Sequence, residues 1–125
     1  MEHEAISGAI ISSSMRVHSE LGPGLLESLY ESCLEHELRK IAIPVARQVE
    51  VPVTYDGLRL ESGFRLDLLV ANSVVVEIKA VDRLAAIHTA QMLTYLKLTK
   101  CRVGLLLNFN VVHMRDGIKR IVHQV

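Results

Sequence analysis

The hydrophobic period of the sequence changes once, near Val45, and this change limits the folds that the chain can adopt. Before it, apolar residues such as Ile6, Ile10 and Val17 recur at helical spacing and predict a first helix over residues 4–20. After it, apolar and polar residues alternate, as they do in a half-buried strand. Two helices followed by strands indicate an α/β fold.

Local signals divide the chain further. The segment LGPGLLES ends the first helix, because glycine and proline interrupt helices, and a second helix runs to about Lys40. Pro52 predicts that the first strand is an edge strand or carries a bulge, since proline has no N–H for a ladder. YDGL at residues 55–58 predicts a hairpin turn. The second strand reaches about Ala71, bends near Ser62-Gly63, and has one apolar face formed by Phe64, Leu66, Leu68 and Val70.

The second half of the chain continues this pattern. VVVEIKAV is a third strand, and Asp82 is placed to cap a third helix, RLAAIHTAQMLTYLKL. CRVGLLLNF is nearly all apolar and predicts a central strand. The tail VVHMRDGIKRIV alternates around Asp-Gly and predicts a further hairpin. The order α-α-β-β-β-α-β with a β tail predicts one domain over residues 1–125, a mixed sheet flanked by helices.

The third strand carries two opposite charges within an aliphatic run. Alternation places Glu77 and Lys79 on one face of this strand. If Val70 lies opposite Val74, Asp67 lies opposite Glu77, and two such carboxylates repel by about 4 kcal/mol at an effective dielectric near 20. Three arrangements offset this cost: protonation of one acid, a bridge from Lys79, or a divalent cation such as Mg²⁺ or Mn²⁺.

Two further segments carry candidate functional residues. His88, Gln91 and Tyr95 are spaced i, i+3 and i+7, so they share one stripe of the third helix. A single histidine on such a stripe is more often a core residue whose ring is hydrogen-bonded. Glu27 stands early in the second helix, three residues before Tyr30, where a carboxylate is also favoured by the helix dipole alone.

Composition excludes several classes of protein. The formal net charge is zero, which argues against a tight non-specific binder of nucleic acid, although residues 97–125 hold six bases and one acid. Cys33 and Cys101 form no metal-binding or disulfide motif, and they fit a cytoplasmic location. No apolar run is long enough to span a membrane. The high apolar content of a small chain also suggests a homodimer.

Taken together, the segments resemble a known family. GLLESLY (Gly24–Tyr30) matches G-x-x-E-x-x-Y, the signature of the GxxExxY proteins, a branch of the PD-(D/E)XK nuclease superfamily. FRLDLLV, VEIKAV, IHTAQMLTYLKL and VGLLLNF follow in the order of that family. The resemblance covers roughly residues 16–122 and implies a restriction-endonuclease-like core. Leu66 stands where the superfamily's name has proline.

The resemblance also implies roles for individual residues. It makes Asp67, Glu77 and Glu27 the metal-binding acids and Lys79 the lysine that assists the attacking water. Gln91 and Tyr95 resemble the Q-x-x-x-Y motif that positions metal-bound water or the nucleic-acid backbone. We assign His88 to the substrate-binding group with them; the role of His18, just before the glycine turn, stays open between approach to the site and a solvated surface position.

Three functional hypotheses follow from this reading. The first is a Mg²⁺- or Mn²⁺-dependent nuclease that hydrolyses phosphodiester bonds of DNA, in preference to RNA. The second is a non-catalytic module that keeps the nuclease fold and binds nucleic acid or protein, since a fold does not determine a function. The third is a structural domain in which Glu77 and Lys79 form a salt bridge.

Overall fold

A computed structural model describes residues 3–124, and two helices lead into its sheet as the sequence predicts. Its elements are α1 (His3–Leu21), α2 (Glu27–Lys40), β1 (Val45–Tyr55), β2 (Leu58–Val70), β3 (Val74–Lys79), α3 (Ala86–Thr99), β4 (Val103–Asn108), a short 3₁₀ helix (Met114–Gly117) and β5 (Ile118–Val122).

The five strands form one mixed sheet in the order β1-β2-β3-β4-β5. β1, β2 and β3 pair antiparallel, α3 connects β3 to its parallel neighbour β4, and β5 returns antiparallel along the far edge. This arrangement confirms the predicted α/β class with a restriction-endonuclease-like mixed sheet. Residues Val103 to Asn108 of β4 are all buried, as expected for an interior strand.

Helices cover both faces of the sheet. The core on the α1 and α2 side contains Ile6, Ile10, Tyr30, Leu34, Leu38, Leu68, Val70, Val76, Ile78, Leu105, Leu107 and Phe109. The core on the α3 side contains Leu66, Val75, Met92, Leu96, Leu106 and Ile121. Aliphatic side chains on alternate positions of β3 and β4 therefore anchor these strands between two layers.

The β1–β2 hairpin confirms the predicted turn and bulge. Asp56 and Gly57 both have positive φ angles, 50° and 79°, which is the geometry of a two-residue hairpin turn. The pairing register shifts between Val51 and Val53, where Pro52 stands. β1 is also an edge strand, so the missing proline N–H leaves no gap inside the sheet.

The prediction that Phe64, Leu66, Leu68 and Val70 share one face is wrong. Leu68 and Val70 pack on the α1 and α2 side, whereas Leu66 and Phe64 pack on the α3 side. The change occurs at Asp67, whose register neighbour on β1, Gln48, has a φ angle of 51°. The regular pairs on either side continue without a Gln48–Asp67 pair, so the pleat is interrupted and the alternation resumes out of phase.

The predicted cap of α3 is also wrong. The helix begins at Ala86, and Asp82 lies in the exposed bend before it. His88 supplies the cap instead, because its Nδ1 accepts a hydrogen bond of 2.9 Å from the backbone N–H of Ala85. The N–H of Ala85, which has no backbone partner in the helix, thus bonds to a side chain of the helix itself. A search for an aspartate before the helix does not detect a cap of this kind.

The tail does not form a hairpin of its own. Met114–Gly117 form the 3₁₀ helix, and β5 pairs with β4 rather than with Val111 and Val112. The reason is that β4 would otherwise present an unpaired edge, and the only strand-forming half of the tail covers it. Among residues 3–124, no helix is long and apolar enough to cross a membrane.

Any side chain at position 117 is expected to destabilise the folded protein. A Cβ at this buried position would overlap the backbone carbonyl oxygen of Asn108, which cannot move without disturbing β4. We expect Gly117→Ala to lower the free energy of unfolding by about 1–3 kcal/mol in urea denaturation. The matched control is Gly8→Ala in α1, where the Cβ meets nothing within 4 Å and should stabilise by up to about 1 kcal/mol. Equal effects of the two substitutions would contradict the packing described.

Candidate active site

Two carboxylates lie side by side where β2 and β3 separate. The backbone pairs Val70–Val74, Leu69–Val75 and Leu68–Val76 confirm the predicted register. Beyond them, side chains continue the pairing: the N–H of Asp67 donates to Glu77 Oε2 at 2.8 Å, and the N–H of Ile78 donates to Asp67 Oδ2 at 2.8 Å. Each acid therefore holds the backbone next to the other acid.

The environment of these acids disfavours their charged forms. Glu77 is only 5% exposed, and its burial, together with the charge of Asp67, raises its pKa to about 8. Burial also raises the pKa of Asp67, with a further contribution from Glu31 and a smaller one from Glu27. The positive charge of Lys79 opposes both shifts without cancelling them. The pair lacks a compensating positive charge, which a proton or a cation can supply.

Lys79 does not neutralise the acids by direct contact. It ends β3 on the same face as Glu77 and is half-buried. Within residues 3–124 it makes no ion pair shorter than 4 Å, so the salt bridge between Glu77 and Lys79 expected for a structural domain is not formed. Its backbone is fixed, because its carbonyl accepts the N–H of Phe109 at 3.0 Å.

The G-x-x-E-x-x-Y segment places a third acid near the end of β3. Gly24 has a φ angle of 95°, which favours glycine, and the turn that it forms leads into α2. Glu27 is the first residue of α2, and its Oε2 accepts the N–H of Ala80 at 3.0 Å. Tyr30 holds the turn, since its hydroxyl donates to the carbonyl of Gly22 at 2.6 Å and accepts the N–H of Leu25 at 3.1 Å. Here the spacing of the segment serves to aim Glu27 at the strand.

Sequence reasoning missed a buried network next to Asp67. Glu31 is 5% exposed, and Arg47 and Gln48 both donate to its carboxylate at 2.9 Å. Glu35 extends the network through Arg47. Leu26, Glu27, Ser28, Glu31, Arg47, Gln48 and Asp67 line a cleft of about 620 Å³, the acidic cleft. The sequence contained a signal for Glu31, because it follows Glu27 by four residues and so lies on the same face of α2.

Asn108 is a second residue that the sequence did not single out. Its side chain is buried and accepts the N–H of Val81 at 3.1 Å while donating to the carbonyl of Val81 at 2.9 Å. It therefore ties the segment after Lys79 to the end of β4. An asparagine that ends an apolar strand is the signal that could have identified it, since a buried amide requires partners.

Of the predicted residues of α3, Tyr95 lies near the acids, whereas His88 caps the helix. Tyr95 stacks on Phe64, with ring centroids 4.4 Å apart. Burial raises the pKa of Tyr95, and the charges of Glu77 and Asp67 add to this, so its hydroxyl lies within electrostatic reach of the acids. Gln91 is exposed one turn earlier, and the Nδ1 of His88 is occupied by the helix cap.

His18 is not a solvated surface residue. It is 8% exposed, and its Nε2 lies 2.8 Å from the carbonyl of Val111, to which it donates. This bond ties the end of α1 to the loop after β4. Its ring also lies near Phe109, which stacks on Tyr30.

The donor set fits a hard divalent cation in part. Asp67 and Glu77 each use one carboxylate oxygen for a backbone N–H, and the other oxygen makes no hydrogen bond within the described chain. Carboxylate oxygens are the ligands that Mg²⁺ and Mn²⁺ prefer. Among residues 3–124, however, no three acidic, histidine or cysteine side chains converge closely enough to hold an ion by themselves. Glu27 points to Ala80 and does not complete a triad.

A comparison with known protein families gives a match that covers most of the chain. The family model described as PD-(D/E)XK nuclease superfamily matches residues 4–121, almost the whole chain. A search of curated proteins found no significant match.

The raised pKa of Glu77 predicts how stability depends on pH. Between about 4.5, the ordinary value, and about 8, the folded protein binds more protons than the unfolded chain, so Glu77 lowers the free energy of unfolding as pH rises. We expect Glu77→Gln to remove this contribution. Relative to wild type in EDTA, the variant should gain stability from pH 5 to pH 8, measured by urea denaturation.

Glu20→Gln, on the exposed surface of α1, is the control for the loss of one acidic side chain outside the site. A Glu77→Gln difference that is constant across this range would contradict the assignment of a raised pKa to Glu77.

Proposed function

The chain belongs to the PD-(D/E)XK nuclease superfamily, and we propose that it is a divalent-metal-dependent nuclease that hydrolyses phosphodiester bonds of DNA, in preference to RNA. The observation that carries this proposal is the pair formed by Asp67 and Glu77. A buried and a half-buried carboxylate held side by side by backbone N–H groups, with Lys79 on the same face, are costly in a merely structural role.

Each residue of the site has a role in this proposal. Asp67 and Glu77 would hold Mg²⁺ or Mn²⁺, which when bound supplies Lewis acidity at a phosphate group. Lys79 stabilises the negative charge that develops on the phosphate oxygens and orients the attacking water. Gln91, exposed on α3, and Tyr95 bind the substrate strand beside it, with His88 at the start of the same helix.

Glu27 acts mainly through the backbone in this proposal. Its carboxylate holds Ala80, and Asn108 holds Val81, so both sides of the site fix the segment that follows Lys79. The Glu27 carboxylate would be the further ligand to a metal ion that the family resemblance implies. Ala80 follows Glu77 by three residues, so Glu27 lies near the other two acids without converging on them.

A non-catalytic binding module is the second candidate. The observation that favours it is that Glu27 does not converge with the other two acids. In either case we propose that the protein is cytoplasmic, because Cys33 and Cys101 are free thiols. We also propose a homodimer formed through exposed apolar side chains, which light scattering at several concentrations tests.

Metal binding separates the two candidates. We expect Mn²⁺ to bind the wild type in calorimetry, and Asp67→Asn and Glu77→Gln each to abolish the heat, because either change removes a charged oxygen donor. Glu50→Gln, an exposed acid paired with Arg65 on the hairpin, is the control and should bind Mn²⁺ as the wild type does. A folded wild type that binds no Mn²⁺ would favour the non-catalytic module.

Substitution of Lys79 distinguishes the nuclease hypothesis from the structural hypothesis. We expect Lys79→Met to lower the rate of DNA cleavage by about 10²-fold or more, since it removes a positive charge from the reacting phosphate. The urea midpoint should change little, because Lys79 makes no ion pair in the described structure, and Mn²⁺ should still bind, because Lys79 supplies no oxygen ligand. The structural hypothesis predicts the reverse, a loss of stability with no specific loss of cleavage.

A further inference from the structure

A second cleft lies on the other side of the loop that leads into α2. Leu26, at the end of this loop, lines the acidic cleft, whereas Gly22 and Pro23, at its start, line a cleft of about 610 Å³ together with Ser19, His113 and Arg115. We call this second space the basic cleft. The two clefts are similar in volume and share the loop as a wall.

The charges of the two clefts are opposite. The acidic cleft contains Glu27, Glu31 and Asp67. Within the described chain, the lining of the basic cleft contains no acid; its charged residue is Arg115, and His113 adds a ring N–H. Asp116 follows Arg115 in sequence but is exposed and does not line the cleft.

Arg115 also forms no ion pair with an acid among residues 3–124. Every ion pair found among residues 3–124 uses a base at or before Arg65. The guanidinium of Arg115 is exposed, so its five N–H donors are available to a ligand. A planar fork of this kind matches the oxygens of a phosphate group.

The basic cleft opens at the same end of the sheet as Lys79. β3 and β4 run parallel, with Lys79 paired to Asn108, and residues 109–115 follow directly from that end of β4. The wall is held in place by two bonds, from Gly22 N–H to the carbonyl of His18 and from His18 to the carbonyl of Val111. The wall of the cleft is therefore fixed, at the end of the sheet where Lys79 lies.

We propose that the basic cleft binds a phosphate group of the substrate strand that flanks the phosphate at Asp67 and Glu77, with Arg115 as its main contact and His113 beside it. This inference rests on the proposed function, because it assigns the strand a path from the acids across the Gly22–Leu26 loop.

Binding of labelled DNA without metal tests this inference. A fluorescein-labelled single-stranded 12-mer is titrated with the full chain in EDTA at several salt concentrations, and fluorescence anisotropy gives the affinity. We expect Arg115→Ala to weaken binding about 10-fold and to reduce the slope of log affinity against log salt by about 0.7, the value for one phosphate of a single strand. Arg115→Lys should recover part of the affinity, because it keeps the charge but not the fork.

Lys119→Ala is the matched control. Lys119 is an exposed base of β5 outside the basic and acidic clefts, and its loss changes the net charge equally. It should leave the salt slope unchanged. Equal losses for the two variants, no loss for Arg115→Ala, or no binding by the wild type would each overturn the inference.

The experiment does not depend on cleavage. A wild type that binds through Arg115 but cleaves no nucleic acid, with or without Mn²⁺, would refute the nuclease and keep the phosphate site. A wild type that cleaves DNA, with Arg115→Ala binding unchanged, would do the opposite. Circular dichroism of each variant confirms folding, which exposed residues should not affect.

Discussion

Two hydrogen bonds, from the N–H of Asp67 to the carboxylate of Glu77 and from the N–H of Ile78 to the carboxylate of Asp67, are the interaction on which the rest of the site depends. These bonds replace the backbone ladder bonds that would otherwise join β2 and β3. The strands therefore remain in register while two carboxyl groups are brought together. Bonds from N–H to a charged group contribute about 1.5–3 kcal/mol each, comparable to the repulsion of about 4 kcal/mol between the acids. The geometry is thus stable, and the pKa of Glu77 still rises to about 8, which leaves the pair ready to accept a positive charge.

The neighbouring elements hold the short segment that follows this pair. Glu27 accepts the N–H of Ala80 from the α2 side, Asn108 brackets Val81 from the β4 side, and the N–H of Phe109 fixes the carbonyl of Lys79. Four hydrogen bonds from α2 and from the end of β4 leave the backbone at Lys79 little freedom, as the role proposed for this lysine requires. Helix and strand therefore act together, although they are distant in sequence.

Much of the fold could be predicted because it follows local rules. The change from a period near 3.6 to a period of two located the boundary between helices and strands, and Asp56-Gly57 and Pro52 located the hairpin and its bulge. The predictions failed where residues distant in sequence determine how a strand pairs or which face it presents. The tail pairs with the open edge of β4 rather than with itself, and β2 exchanges its faces at Asp67 because Gln48 interrupts the pleat. Neither partner is visible in a window of neighbouring residues.

The sequence by itself determined the order of elements, the register of β2 against β3 and hence the meeting of Asp67 and Glu77, because alternation and a short turn leave few other pairings. Only the tertiary structure decided what surrounds that pair. Glu31, buried with Arg47 and Gln48, became part of the site, and His88 became a helix cap. Burial, distance and hydrogen-bond partners depend on how the layers pack, and packing joins residues whose separation along the chain carries no information about their separation in space.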